Sequence, residues 1–293
     1  MSKIEEVLKK ARAQRQGLTI PAGGVRAAAS AAKSGGLAPR LSAREQIARM
    51  QEPEVVSDDV LSTHRWVYPD MREERVANAF RNLRTRLLQK LGDDKRIVMV
   101  TGVSERAGAS FVARNLAAAV TFDEGKTALL IDCNMRLPAP ALPGTPASPG
   151  LTDFLESDVM PVEEVIHAVG VPRLRVVPVG ARRESGAEYF TSDKMLGLLA
   201  ALKQRYDDRL IFLDAPPVAD SADARILSAL CDGVVLVVPY GGAFESDIAA
   251  AAKAVGDKLL GVVLNDQPRV PHLSWRRHLV DWWLRLRRGH DSP

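Results

Sequence analysis

Cysteine, tyrosine and long apolar runs are all scarce in this sequence. Two cysteines, Cys133 and Cys231, provide no disulfide framework for 293 residues, which favours reduced, partly buried thiols in an intracellular protein. No window of about 18 residues is both apolar and uncharged, so the sequence predicts no helix that spans a membrane. The opening residues, MSKIEEVLKKARAQR, lack the apolar core of a signal peptide. These absences predict a cytoplasmic chain.

Charge of one sign does not dominate the composition either. The 40 Lys and Arg residues face 36 Asp and Glu residues, which gives a formal net charge of +4. A role in binding DNA would rest only on the basic residues of the two tails, so nucleic acid is not an expected partner.

The most informative stretch covers residues 96–138. Residues 96–101 are an apolar, β-branched run typical of a buried parallel strand, and residues 110–120 repeat apolar side chains at helical spacing. Residues 127–131 predict a second buried strand, which Asp132 follows. A strand that leads through a loop into a helix is where α/β proteins hold phosphate, because backbone N–H groups and the helix dipole converge there.

The loop of this unit matches half of the phosphate-binding pattern GxxxxGK[ST]. With Ser110 at the last position, Gly108 is present, but Ala109 stands where the lysine belongs and Val103 where the first glycine belongs. By spacing alone, the loop is either a phosphate site or a βαβ turn without a ligand. Arg106 is the nearest cation in sequence, which makes it a candidate for phosphate contact.

Strands and helices are predicted to alternate along the rest of the chain. The predicted strands lie at residues 173–179, 210–213, 233–238 and 259–264, and the predicted helices at 71–91, 187–205, 220–230 and 244–255, with a further helix starting near residue 151. Such alternation predicts an α/β fold with a doubly wound, mostly parallel sheet. Asp132 and Asp214 each end a predicted strand, so both are expected at one crevice beyond the carboxyl ends of the sheet.

The central domain is predicted at residues 64–268, with Trp66 and Tyr68 packed onto it as a lead-in. The region at 1–63 contains a basic amphipathic helix at 2–16 and an Ala-, Gly- and Ser-rich linker at 18–39, which is expected to be flexible. A proline- and glycine-rich loop at 139–150 is expected near the proposed site.

The predicted tail at 269–293 is a basic amphipathic helix. Trp275, Trp282 and Trp283 share one helical sector with leucines, and arginines surround that sector. Tryptophan at an apolar–polar boundary with flanking arginine is typical of an interfacial helix, which predicts contact with a membrane surface or a membrane partner. A C-terminal helix packed on its own domain is the alternative.

Several segments, in order along the chain, resemble the bacterial tyrosine kinases (BY-kinases) of capsule and exopolysaccharide assembly. VTGVSERAGASFVARNLA resembles the nucleotide loop of that family, roughly TGxSPxxGK[ST]xxxxNLA. ALLIDCNMRLP is similar to LLIDADxRxP, GLTDFLES to GLSDxLxG, and YDDRLIFLDAPPVADSADARILSALCDGVVLVV to YDxVIIDTPPxxxxxDAxxLxxxxDGxxxVV. The resemblance covers residues 76–265.

The resemblance implies a P-loop NTPase-like fold that binds ATP or ADP with Mg²⁺. It implies that Gly108 and Ala109 lie at the nucleotide phosphates and that Ser110, Asp132 and Asp214 hold the metal ion. In an active member, the two aspartates would be the catalytic carboxylates.

Two features of such a kinase are altered here. Ala109 replaces the loop lysine, and Asn134, which lacks charge, replaces an acid that would help to hold Mg²⁺. Kinases of the family usually carry a tyrosine-rich, autophosphorylated C-terminus, whereas this chain has no tyrosine after Asn265. Together the two changes predict weakened nucleotide binding and weak or absent activity.

The resemblance also implies partners. NAFRNLRTRL resembles the ExxRxxR segment that contributes to ring-like self-association in the family, with Arg81 and Arg84 as its two arginines. Asn78 replaces the glutamate of that segment, and a solvent-facing basic stripe is the alternative interpretation. A membrane-embedded polysaccharide co-polymerase, or chain-length protein, is the implied partner, which would place the chain at the inner face of the cell membrane.

The sequence therefore predicts a degenerate, BY-kinase-like cytoplasmic component of exopolysaccharide or capsule synthesis, polymerisation or export that acts mainly by binding partners. The first alternative is an active, atypical ATP-dependent tyrosine kinase or ATPase, which retained Ser110, Asp132 and Asp214 favour. The second is a partition-type ATPase, which shares the fold. Such ATPases need the loop lysine and usually a second lysine at the position of Ser104.

Overall fold

The computed structural model describes residues 55–92, 96–138, 149–205, 209–219 and 221–266. Several sequence predictions fall outside these ranges: the amphipathic helix at 2–16, the linker at 18–39, most of the loop at 139–150, and the tail with Trp275, Trp282 and Trp283.

A seven-stranded sheet forms the centre of the described domain. Its strands are β1 (Ile97–Gly102), β2 (Thr127–Asp132), β3 (His167–Ala168), β4 (Leu174–Val177), β5 (Arg209–Asp214), β6 (Gly233–Pro239) and β7 (Leu259–Asn265). Their order is β3-β4-β2-β5-β1-β6-β7, and every neighbouring pair is parallel except β3 with β4. The predicted α/β class with a mostly parallel, doubly wound sheet is confirmed.

The helices of the described residues connect these strands. They are α1 (Asp58–Thr63), α2 (Glu74–Leu91), α3 (Ala109–Val120), α4 (Leu151–Glu156), α5 (Ala187–Phe190), α6 (Asp193–Arg205), α7 (Ala222–Leu230) and α8 (Glu245–Val255), with single 3₁₀ turns at Val162–Val165 and Gly256–Lys258.

The apolar character of β1 follows from burial on both faces of the sheet. Ile97 and Met99 belong to one buried cluster, while Val98 and Val100 belong to the other. Because side chains alternate along a strand, a strand covered on both faces is apolar at every position. This explains why β1, β2 and β5, each buried along its whole length, were recognisable as short apolar runs.

The helix predicted at 187–205 is instead two helices, α5 and α6. The break lies at Ser192, whose Oγ donates to the carbonyl O of Tyr189 at 2.6 Å. The same Oγ accepts a hydrogen bond from the N–H of Met195 at 3.2 Å, as an N-cap side chain does. Because apolar residues keep their helical spacing through this position, the sequence pattern did not reveal the N-cap. The two-residue antiparallel strand β3 was also not predicted.

The segment before α2 packs on α3, as predicted for Trp66. Asn115 of α3 accepts from the N–H of Val67 at 2.8 Å and donates to the carbonyl O of Arg65 at 3.0 Å. Trp66, between these two contacts, is 2% exposed. Earlier in the segment Leu61 is also buried, so residues that precede the predicted boundary at 64 pack on the domain too.

The structure also shows the state of the two cysteines and the character of the helices. Cys133 and Cys231 are both buried free thiols. Within the described ranges, no helix has both the length and the apolar surface that crossing a membrane requires.

Candidate functional site

Two buried aspartates lie side by side at the carboxyl ends of adjacent strands. Asp132 ends β2 and Asp214 ends β5, and the two are register partners in the parallel ladder. Asp132 is 6% exposed and Asp214 is 2% exposed. The two strand ends lie side by side, because parallel strands bring their carboxyl ends to the same edge, and we call the region beyond these ends the crevice. That this crevice is a binding site stays a prediction.

The environment of Asp214 disfavours its charged form. Burial raises the pKa of Asp214 well above its ordinary value, and the neighbouring charge of Asp132 raises it further. A hydrogen bond from Ser110 and the charge of Arg114 oppose that shift in pKa. The Oδ1 atom of Asp214 is buried without a hydrogen-bond partner among the described residues. Two close carboxylates, one with an unused oxygen, and a hydroxyl form a donor set suited to a hard divalent cation.

The loop after β1 is folded tightly and is held from both sides. The N–H of Val103 donates to the carbonyl O of Val237 at 3.0 Å, which ties the loop to β6. The side-chain Nδ2 of Asn265, at the end of β7, donates to the carbonyl O of Ala107 at 3.0 Å. Gly108 then adopts a φ of 86°, in the left-handed region that favours glycine, and α3 begins directly after it.

Ala109 and Ser110 are the first two residues of α3. Their backbone therefore belongs to the helix N-terminus, where N–H groups are available to an anion. Ser110 reaches Asp214, whereas the methyl group of Ala109 offers no positive charge. The start of α3 thus combines backbone N–H groups with the Ser110 hydroxyl, and Ala109 adds no cation.

Arg106, the cation proposed from sequence, lines a cleft on the outer side of the loop. This cleft of about 1310 Å³ lies between the lead-in segment and the loop, and Trp66, Phe111, Arg114 and Asn265 also line it. Neither Asp132 nor Asp214 is among its lining residues. Arg106 has a φ of 60°, so a side-chain-bearing residue occupies a backbone conformation that glycine adopts more readily.

Arg114 is a residue of the cleft that sequence reasoning missed. Its guanidinium lies 5.5 Å from the ring centre of Phe111 and 6.0 Å from that of Trp66, and Nη2 donates to the carbonyl O of His64 at 3.3 Å. Burial lowers the pKa of Arg114, and the charge of Asp214 partly offsets this. Trp66 Nε1 and Arg114 Nε are both buried without a hydrogen-bond partner among the described residues.

Sequence reasoning also missed an ion pair that joins the two loops flanking the end of β5. Arg136, in the turn after β2, places Nη2 3.1 Å from Oε1 of Glu105 in the loop after β1. The available signal was the presence of opposite charges in the two segments that flank the predicted site. In the same turn Asn134 accepts from the N–H of Leu137 at 3.2 Å through Oδ1, while its own N–H donates to Asp132 at 3.0 Å.

The two arginines predicted for self-association make contacts within the chain. Arg84 donates to the carbonyl O of Ala119 at 3.1 Å, near the C-terminal end of α3. Arg81 donates to Asn78 Oδ1 at 2.9 Å, and its guanidinium lies 5.7 Å from the ring centre of Phe122. Both therefore help to fasten α2 to the region around the end of α3, and their role in self-association stays a prediction.

The chain is similar to known tyrosine kinases, although no protein-family model matches it. EpsB of Ralstonia solanacearum, whose name assigns it provisionally to the tyrosine-protein kinases, is 33% identical over 192 residues, which are 64% of this chain and 25% of that protein. The chain thus spans about a quarter of the length of this relative. The tyrosine-protein kinase YwqD of Bacillus subtilis is 31% identical over 215 residues, which are 70% of this chain and 88% of that protein. Among solved structures, the BceF tyrosine kinase domain is 30% identical with a TM-score of 0.58, and the match covers 66% of this chain and 78% of that one.

Proposed function

Because this chain belongs to the bacterial tyrosine kinases, we propose that it is a component of capsule or exopolysaccharide assembly that acts mainly by binding partners. In this proposal it turns over ATP weakly or not at all. The observation that carries the proposal is Ala109, which begins α3 without a cation while the acidic side of the site is intact.

The residues of the crevice fit a magnesium nucleotide in every respect but one. The buried, unpartnered oxygen of Asp214 calls for a cation, and Asp132 and Ser110 lie beside it. Ser110, Asp132 and Asp214 would hold Mg²⁺, and the N–H groups at the start of α3 would hold phosphate oxygens. When bound, Mg·ATP supplies the phosphoryl group for transfer.

Without the loop lysine, these residues neutralise less of the charge on the phosphates of Mg·ATP. Phosphoryl transfer depends on positioning and on neutralising charge, and a lysine of the loop normally meets the β- and γ-phosphates. Removing one charge-stabilising group typically costs roughly 3 kcal/mol in the transition state, or about two orders of magnitude in rate. Asn134 adds no charge of its own, because a carboxamide is neutral, and its Oδ1 already accepts from the N–H of Leu137 in the turn after β2.

The proposed partners follow from the family rather than from contacts in the structure. A membrane-embedded polysaccharide co-polymerase would bind the domain, and the basic tail at 269–293 would lie on the membrane surface or on that partner. The proposed protein has an N-terminal region at 1–63, a central domain at 64–268 and the basic tail at 269–293. In this proposal, the chain is peripheral at the inner face of the membrane and forms homo-oligomers through α2.

An active, atypical tyrosine kinase is the second candidate. It is favoured by the hydrogen bond between Ser110 and Asp214 and by the register of Asp132 with Asp214, which preserve the metal side of a working site. In that case a cation from elsewhere in the chain or from a partner would have to replace the lysine.

Calorimetric titration of the purified full-length chain with Mg·ATP and Mg·ADP separates the two candidates. We expect weak or undetectable binding by the wild-type chain and no sustained phosphorylation of a tyrosine-containing peptide. Tight Mg·ATP binding together with repeated phosphoryl transfer would overturn the proposal in favour of the active kinase. Asp132→Ala is the control, because it should abolish any metal-dependent signal.

A further inference from the structure

The contact between Glu105 and Arg136 spans the crevice that holds the two aspartates. Glu105 lies in the loop after β1, and Arg136 lies in the turn after β2. In the sheet, β1 and β2 are the two neighbours of β5, whose last residue is Asp214. A side-chain contact from one flank to the other therefore passes over the carboxyl end of β5.

Both side chains of the Glu105–Arg136 pair are exposed, so a solute can replace either partner. The Arg136 side chain is 61% exposed and that of Glu105 is 58% exposed. Solvent screens such a pair, so it stabilises the fold little. A phosphate group, by contrast, is tetrahedral and can present two oxygens to the planar fork of a guanidinium, which binds them in bidentate fashion.

The other arginines near the loop are placed differently. Arg106 lines the outer cleft, and Arg114 lies against the rings of Trp66 and Phe111. Arg136 is thus the guanidinium that the described residues place across the crevice, and Glu105 holds it. Glu105 also puts a negative charge into the loop that would receive phosphates, and that charge repels a polyanion.

We propose that Glu105 is an internal competitor of the nucleotide phosphates for Arg136. Arg136 is a phosphate-binding residue of the crevice, and the Glu105 carboxylate occupies it when no nucleotide is bound. Binding of a polyphosphate exchanges the carboxylate for phosphoryl oxygens on the same guanidinium. This inference rests on the proposed function, since it concerns the affinity of the same loop for nucleotide.

The test compares Glu105→Gln with Glu124→Gln by calorimetric titration with Mg·ATP and Mg·ADP at low salt. Glu124 is exposed and lies between α3 and β2, at the amino ends of the strands and away from the crevice. Both substitutions change the net charge equally. We expect Glu105→Gln to raise the affinity for Mg·ATP about fivefold or more, with a smaller gain for Mg·ADP, because the carboxylate repels each added negative charge. Glu124→Gln should leave both affinities within about twofold of wild type.

Arg136→Gln distinguishes competition from simple repulsion. In the Arg136→Gln background, the gain from Glu105→Gln should shrink to the smaller effect of removing a nearby negative charge. An equal gain with and without Arg136 would overturn the competition. Circular dichroism and thermal unfolding of each variant check that the fold is unchanged.

The same variants are also made in the Ala109→Lys background, which raises affinity into the measurable range if the wild-type signal is small. Binding by Ala109→Lys without any gain from Glu105→Gln would overturn this inference while leaving the proposed function in place. If no variant in either background binds nucleotide, both the inference and the nucleotide site of the proposed function fall. A gain from Glu105→Gln in either background that becomes smaller with Arg136→Gln supports the inference.

Discussion

The side-chain amide of Asn265 donates a hydrogen bond to the carbonyl O of Ala107 at 3.0 Å, across 158 positions of sequence. The backbone of Asn265 is itself fixed, because its carbonyl O accepts from the N–H of Tyr240 at 2.8 Å. A Cβ atom added at Gly108 would lie 2.0 Å from Asn265 Nδ2. The backbone conformation of Gly108 therefore favours glycine, and a side chain there would displace the Asn265 amide from its hydrogen bond with Ala107.

Asn265→Ala should loosen the loop without unfolding the domain. We expect a cost of about 1 kcal/mol in the free energy of unfolding, which is typical for one lost hydrogen bond. Hydrogen exchange of the amides in residues 103–108 should become faster than in wild type. Asn78→Ala, at an exposed asparagine of α2, is the control and should leave exchange in the loop unchanged. Equal exchange in both variants would show that Asn265 does not hold the loop.

Ala109→Lys should restore measurable affinity for Mg·ATP. The substitution puts a cation at the start of α3, where the acidic groups and the hydroxyl are already in place. Catalytic activity should recover less than affinity, because Asn134 still lacks a carboxylate, and Ala109→Lys with Asn134→Asp should bind and react better than either single variant. Calorimetry and a phosphorylation assay measure the two effects. No gain from the double substitution would mean that the loop has closed to nucleotide, with Val103 and Arg106 as the remaining differences.

Asp214→Asn should stabilise the metal-free protein at neutral pH. Because the native pKa of Asp214 is raised above the ordinary value of 3.8, its contribution to stability is full below that value and is lost as pH rises through the native pKa. An uncharged amide removes this loss, so the variant should unfold at higher temperature than wild type at pH 7, with the difference shrinking towards pH 4.

Magnesium gives a second readout of the same residue. Added Mg²⁺ should raise the unfolding temperature of wild type and have little effect on Asp214→Asn, because the variant lacks one of the two carboxylates. Asp158→Asn, an exposed acid between α4 and the first 3₁₀ turn, is the control for a general change of charge. A wild-type chain whose stability did not fall as pH rises above 3.8 would contradict the raised pKa of Asp214.

Removal of residues 268–293 should release the chain from anionic membranes. This prediction comes from sequence, since the tail lies outside the described residues. Each Lys or Arg at an anionic surface is worth about 1 kcal/mol, and the segment holds several arginines around its tryptophans. Co-sedimentation with vesicles rich in phosphatidylserine measures the change, and vesicles of phosphatidylcholine alone are the control. Equal binding of the full and the shortened chain would remove the tail from the proposed membrane contact.

The sequence by itself determined the fold class and most of the strands and helices of the site. Buried parallel strands carry apolar side chains at every position, and helices repeat them every three to four residues, so both patterns are visible locally. The positions of Asp132 and Asp214 at strand ends then implied a shared crevice, because parallel strands direct their carboxyl ends to one edge. The chemical departure at Ala109 was also readable from the spacing of the loop alone.

Only the tertiary structure decided how distant residues meet around that crevice. The order of the sheet puts β1 and β2 on either side of β5, which brings Glu105 to Arg136. It also places the end of β7 against the loop, so Asn265 reaches Ala107. Neither contact has a periodic or motif signature, because each depends on strand order rather than on any property of the neighbouring sequence. Arg81 and Arg84, predicted for association between chains, also have partners within their own chain, one of them Asn78 in the same helix, and their role in self-association stays a prediction.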